Sequence, residues 1–215
     1  MTTLTDRLAA CYASAVHDVM MALGMRDFVL PRTIRPLLAG RRLAGPVFTV
    51  CGRRHDDIEP HDTYVAWTGL LGGVPAGRVL VCQPNDDELA HMGELSAETL
   101  ELRGVRGYIV DGGCRDVEFI RQRIFPVFCR YMTPTDIVAR WLPEAAGEPI
   151  EIGGVALAAG DHVLADDDGI VVLPAARAEE IVAATEAVMA SENKVRDAIR
   201  GGMDPQAAYL KHRKF

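Results

Sequence analysis

The stretch GELSAETLELRGVRGYIVDGGCRD, residues 93–116, has a carboxylate behind a glycine at one end and an Arg-Asp pair behind Asp-Gly-Gly at the other. Glu94 stands where a helix begins. The amides of Glu94, Leu95 and Ser96 should therefore point outward without intrahelical partners and form a seat for a carboxylate. Arg115 and Asp116 follow a strand and a glycine pair that lets the backbone turn tightly, which sets a cation beside an anion on a loop. Each feature alone has an ordinary explanation: Glu94 complements a helix dipole, and Arg115 with Asp116 is a surface ion pair worth at most about 1 kcal/mol. In combination they offer a carboxylate seat, a guanidinium for developing negative charge and hard oxygen ligands for a divalent cation.

The elements that must position these residues read as an α/β unit. A helix near residues 95–103 stops at Gly104, and a strand over 107–110 leads through the loop DGGCRD into a helix over 117–123. The polar loop lies at the carboxyl end of its strand, where open α/β sheets bind ligands. Upstream, apolar residues at helical spacing predict one helix over residues 4–23, with Thr5 as N-cap and Gly24 behind its end. Residues 47–51 and 78–83 read as strands, separated by a polar loop and a short helix within 59–71. Downstream come strands over 127–130, 150–151 and 155–157, a hairpin turning at 167–169, a long helix over about 176–200, and a short helix in the tail GGMDPQAAYLKHRKF.

Composition removes several classes of function. The chain has 215 residues, 49% hydrophobic and 25% charged, enough for one domain with an appended arm. A formal net charge of -7 argues against a nucleic-acid-binding face, and Arg41-Arg42 and Arg53-Arg54 read as solvated pairs. Five cysteines, none at C-x-x-C spacing, suggest neither a disulfide framework nor a zinc knuckle, and fit a reducing, cytoplasmic setting. The N-terminus lacks the continuous apolar core of a signal peptide, and no run approaches the roughly 20 apolar residues that would cross a membrane. P-loop, G-x-S-x-G and H-E-x-x-H motifs are absent, and Gly112-Gly113 does not extend to G-x-G-x-x-G. His55, His61 and Asp62, interleaved with Asp56, Asp57 and Glu59, read as an exposed polar loop rather than a metal cluster.

At residues 93–116 the sequence resembles the RraA-like family, which includes the class II pyruvate aldolases acting on 4-hydroxy-4-methyl-2-oxoglutarate and 4-carboxy-4-hydroxy-2-oxoadipate. The family pattern is an acidic residue, twenty residues of any kind, then Arg-Asp; Glu94, residues 95–114 and Arg115-Asp116 reproduce it. SAVHDVMMALG resembles the family's N-terminal helix with its aspartate, here Asp18, AGPVFTV its first strand, and ADDDGIVVLP its late hairpin. His91 and Met92 before the glycine, Arg78 after Pro-Ala-Gly, and His17 before Asp18 depart from the pattern, and bear on the substrate more than on enolate chemistry.

The resemblance implies a swivelling β/β/α sandwich over residues 1–175 and a C-terminal helical arm over 176–215 that packs on a neighbouring subunit of a homotrimer or homohexamer. It makes Asp116 the direct ligand of Mg²⁺ or Mn²⁺, Glu94 a carboxylate holding water on the metal, and Arg115 the contact to the substrate's carbonyl oxygen. Gly93, Leu95 and Ser96 would seat the pyruvyl carboxylate through the backbone. Glu192, on a helix that also carries Glu179, Glu180 and Glu186, would approach the metal of a neighbouring copy. The implied activity is retro-aldol cleavage of a small 4-hydroxy-2-oxo acid to pyruvate and an oxo compound, with oxaloacetate decarboxylation through the same enolate. No lysine Schiff base is required, and Lys194, Lys211 and Lys214, the chain's only lysines, all lie near its C-terminus. The same family implies a rival role, a non-catalytic regulator that binds an RNA-processing enzyme. A methyltransferase label attached to relatives finds no glycine-rich S-adenosylmethionine loop here.

Overall fold

The helical spacing at the N-terminus resolves into two helices, α1 (Leu4–Ala10) and α2 (Ala13–Ala22), where the sequence predicts one. The structure, a computed structural model, describes residues 2–213, so Lys214 lies outside the described residues. Cys11 and Tyr12 are extended, with ψ of 173° and 153°, because a tertiary partner competes for the chain: the buried Asp166 carboxylate accepts from the Ala13 N–H at 2.8 Å. Thr3 rather than Thr5 caps α1, in a reciprocal box with Asp6.

In chain order there follow β1 (Arg35–Pro36), β2 (Leu43–Arg54), α3 (Pro60–Gly73), β3 (Val79–Gln83), α4 (Glu94–Leu102), β4 (Gly107–Val110), β5 (Gly113–Cys114) and α5 (Val117–Arg121). Next come β6 (Val127–Cys129), β7 (Tyr131–Met132), β8 (Trp141–Ala146), β9 (Ile150–Ile152), β10 (Val155–Leu157), β11 (His162–Ala165) and β12 (Ile170–Leu173). The chain continues into α6 (Ala178–Arg200) and α7 (Pro205–His212).

An eight-stranded sheet runs β1-β6-β4-β3-β2-β11-β12, with β8 also paired along β2. Strands β6, β4, β3 and β2 are mutually parallel, and β1, β8, β11 and β12 join antiparallel. Alternation along the parallel strands sends side chains to opposite faces. Val79, Val81 and Ile109 pack with Ile150, Ile152 and Val155 of the β9-β10 ribbon. Leu80, Cys82, Tyr108 and Val110 pack instead with Trp67 and Leu71 of α3, Ala97 and Leu100 of α4, and Ile120 of α5. Burial on both faces is why β3 and β4 read as unbroken apolar runs. The result is a mixed α/β fold of ribbon, sheet and helices, the layering the resemblance implies.

Strand β8 is absent from the sequence reading because Pro143 and Glu144 interrupt its apolar pattern. It is tolerated on the outer reach of β2, where a register shift at Cys51/Gly52 accompanies the pairing. The first turns of α6 bury Ala178, Ile181, Val182 and Thr185, and the three hydrophobic members pack with Leu8, Val16 and Met20 of α1 and α2. Beyond them Val195 is the buried residue of the helix. Among the described residues no helix is long and apolar enough to cross a membrane.

Candidate active site

Glu94 and Asp116 lie far apart in sequence, and backbone pairing closes the gap. After β3 and β4 leave the sheet, their continuations stay side by side: Ala90 bridges Gly113, the His91 N–H donates to Gly113 O at 2.9 Å, and the Arg115 N–H donates to Met92 O at 2.8 Å. Gly93 is thereby set against Asp116. The glycine pair serves this close approach, not a tight turn, since neither Gly112 nor Gly113 has positive φ. A Cβ on Gly113 would meet Leu89 O at 2.5 Å, and one on Gly112 would meet His91 Nδ1 at 2.8 Å. The left-handed residue is Asp116 itself, at φ 55° and ψ 35°, a conformation that Asp and Asn adopt more readily than other side chains.

That backbone turns the Asp116 carboxylate onto the start of α4. Its Oδ2 accepts from the Glu94 N–H at 3.0 Å and lies 3.5 Å from Arg115 Nε, while Oδ1 accepts no hydrogen bond among the described residues. The amide of Glu94, expected to be open, is therefore occupied. Those of Leu95 and Ser96 make no hydrogen bond to the described residues and remain the open positions of the helix N-terminus. Arg115 Nη1 reaches Asp136 Oδ2 at 3.2 Å, and Arg140 Nη1 lies 3.4 Å from Asp136 Oδ1. Arg115, Asp116 and Asp136 keep between 34% and 38% of their side chains exposed, so these charges are held in place yet reachable from solvent.

A cavity of about 560 Å³ opens over these groups. Gly93, Glu94, Leu95, Ser96, Arg115 and Asp116 all line it. Helix α3 forms another wall beside α4, where Trp67 Nε1 donates to Ser96 Oγ at 2.9 Å. His91 lies beneath with its side chain fully enclosed, stacked edge-on to Trp141 at 5.1 Å between centroids. Burial pushes its pKa down to about 4, with Asp86 at 3.8 Å pulling weakly the other way, so the ring is neutral near pH 7.

Glu192 is not among the lining residues. Its carboxylate accepts from the Tyr12 hydroxyl, and it lines a separate cleft along α6 with Val195, Arg196 and Ile199. That hydrogen bond to Glu192, with burial adding to it, pushes the Tyr12 pKa up to about 12. His55 lies 3.2 Å from Glu144, and among the described residues no three His, Cys, Asp or Glu side chains converge to hold a metal ion. The donor set does fit a water-rich hard cation. An uncommitted carboxylate oxygen on Asp116, with Glu94 and Asp136 lining the same cavity, suits Mg²⁺ or Mn²⁺, which keep several waters and take one or two protein carboxylates. Asp136 and Trp67 escaped the sequence reading because neither belongs to a local motif; they arrive through the Ala90 to Asp136 bridge and through the packing of α3 on α4.

A family model described as RraA-like, Aldolase/RraA, matches residues 13–172. Protein DlpA of Legionella pneumophila is 29% identical over 205 residues, covering 94% of this chain but 32% of DlpA, so the chain spans about a third of that relative's length. A Halalkalibacterium halodurans protein named "Putative 4-hydroxy-4-methyl-2-oxoglutarate aldolase" is 26% identical, with 84% of this chain and 83% of that protein covered. The crystal structure of Streptomyces coelicolor RraAS2, described as an unusual member of the RNase ES inhibitor RraA protein family, is similar with a TM-score of 0.81 at 28% identity. It covers 90% of this chain and 96% of its own.

Proposed function

The chain belongs to the RraA-like family, and on that premise we propose that it is a divalent-metal-dependent lyase, releasing pyruvate from a 4-hydroxy-2-oxo acid by retro-aldol cleavage and decarboxylating oxaloacetate through the same enolate. One observation carries the reading. Asp116 is held in left-handed backbone with one oxygen on the Glu94 amide and the other uncommitted, beside Arg115 and beneath two open helix amides.

In this reading the amides of Leu95 and Ser96, with the backbone at Gly93, bind the substrate carboxylate at the positive end of α4. Mg²⁺ or Mn²⁺ held by Asp116 would supply Lewis acidity toward the 2-oxo group. Arg115 donates to the keto oxygen as negative charge develops there, the interaction that separates transition state from ground state. Glu94, half-buried at the helix start, takes the proton of the 4-hydroxyl through a water. The C3–C4 bond then breaks, its electron pair enters the keto group, and the proton returns to C3 as pyruvate forms.

The same proposal makes residues 1–175 the catalytic domain and 176–215 an arm that joins copies into a homotrimer or homohexamer in the cytoplasm. Glu192, outside the cavity of its own chain, would serve the cavity of a neighbour. The test is pyruvate release, coupled to lactate dehydrogenase, from oxaloacetate and from a panel of 4-hydroxy-2-oxo acids. We expect EDTA to abolish it and Mg²⁺ to restore it. Equal rates before and after chelation would end the proposal, and capture of an RNA-processing enzyme with no pyruvate formed would favour the regulator.

A further inference from the structure

The walls of the cavity bear on the far half of the substrate, an inference that rests on the lyase reading. Arg115 is the only cation among the described residues lining the cavity, against three carboxylates, Glu94, Asp116 and Asp136. That single guanidinium is already shared between Asp136 at 3.2 Å and Asp116 at 3.5 Å, and the reaction needs it at the keto oxygen. Arg140, the next guanidinium, is engaged with Asp136 and does not line the cavity.

Helix α3 contributes Thr63, Tyr64, Trp67, Thr68 and Leu71 to the lining, and the segment before β8 adds Ile137 and Val138. The polar side-chain atoms of Thr63, Trp67 and Thr68 on this wall have protein partners, and the exposed Tyr64 adds one uncharged hydroxyl. Trp67 Nε1 donates to Ser96 Oγ at 2.9 Å, and the Thr68 hydroxyl donates to Tyr64 O at 2.6 Å within its own helix. A second carboxylate carried to this wall would leave water for apolar surface, face Asp136, and find no cation among the described lining residues of this chain beyond the shared Arg115. An apolar group there would instead exchange water for aromatic and aliphatic contact.

We propose that the substrate carries an uncharged apolar group on C4, an aryl or branched alkyl group, in place of a second carboxylate. Its cleavage breaks C3–C4, converts the C4 hydroxyl into the carbonyl of an apolar aldehyde or ketone, and leaves the hydroxyl proton on C3 of pyruvate.

Two measurements on the full-length Mg²⁺-loaded protein test this. Calorimetric titration compares 2-oxo-4-phenylbutanoate with 2-oxoglutarate, a matched pair lacking the 4-hydroxyl and therefore not cleavable by this route; we expect the phenyl compound to bind at least about tenfold more tightly. Pyruvate release then compares 4-hydroxy-2-oxo-4-phenylbutanoate with 4-hydroxy-2-oxoglutarate, oxaloacetate serving as the check on enolate chemistry. The phenyl substrate should lead by a similar factor in kcat/KM, and Thr68→Arg, which adds a cation to an exposed position of the wall, should shift preference toward the dicarboxylate. Pyruvate from oxaloacetate together with preference for the dicarboxylate in the unmodified protein overturns this inference alone. No pyruvate from any substrate overturns the lyase reading and this inference with it.

Discussion

The Glu94 N–H donates to Asp116 Oδ2 at 3.0 Å, tying the first residue of α4 to the residue that opens α5. A carboxylate at this position both completes the helix start and presents its second oxygen to the cavity, so changes at either end of the bond separate folding from chemistry.

Asp116→Asn keeps a side-chain oxygen for the Glu94 amide and a residue type that tolerates left-handed backbone. Thermal unfolding should shift by no more than a few degrees, while Mg²⁺-dependent pyruvate release falls by roughly 10²–10³-fold. An active Asn variant would remove Asp116 from the mechanism.

Gly93→Ala tests the spacing between the two strands of the site. At φ −137° an alanine is unstrained, but its Cβ would lie 2.7 Å from Asp116 Oδ2 and 3.3 Å from Arg115 Nε. The side-chain end of Asp116 can move aside cheaply, so stability should change by less than about 1 kcal/mol. Activation by Mg²⁺ should weaken by about tenfold or more in a metal titration, as expected when the surroundings of a ligand are displaced.

Arg115→Lys retains the charge and loses the planar fork that spans Asp116 and Asp136. The expected result is a fall in kcat/KM of about 10²-fold, chiefly in kcat, because the lost interaction belongs to the transition state. A change confined to KM would assign Arg115 to ground-state binding only.

His91 gives a pH signature of folding. Both ring nitrogens are buried without a hydrogen-bond partner among the described residues, and the residue is 1% exposed. With a folded pKa near 4 and an unfolded value of about 6.5, the unfolded chain holds one more proton between those limits. Stability from this group is therefore complete above about pH 6.5 and is lost as pH falls toward 4, by at most about 1.4 kcal/mol per pH unit. Denaturant midpoints for His91→Phe should decline less over this window than those of the unmodified protein; an unchanged slope would refute the assignment.

Glu192 can be tested by complementation. If it serves a neighbouring cavity, Glu192→Gln and Asp116→Asn chains, each inactive alone, should recover part of the activity when refolded together, because some mixed sites contain both native residues. Size-exclusion chromatography with light scattering should show a trimer or hexamer. No recovery from a mixed assembly would separate Glu192 from the site.

Much of the frame was legible in the chain because it follows from local energetics. The strand Gly107–Val110 is apolar along its whole length since both of its faces are buried, and α4 starts behind Gly93 and ends before Gly104. Local rules failed where a distant partner prevailed. Asp166 breaks the first helix at Ala13, and the edge of β2 turns a Pro- and Glu-containing segment into β8.

At the site the division is sharper. Residue identity and spacing determined that a carboxylate at a helix start precedes an Arg-Asp pair by that helix, one strand and one loop, and this is enough to mark the family. Only the tertiary structure decided that Asp116 occupies the Glu94 amide, that Asp136 shares Arg115, and that α3 walls the same cavity with Trp67 and Leu71. The reason is physical: pairing between the continuations of β3 and β4, and the packing of α3 beside α4, join residues far apart in sequence, and such contacts leave no mark in the local pattern of any one segment.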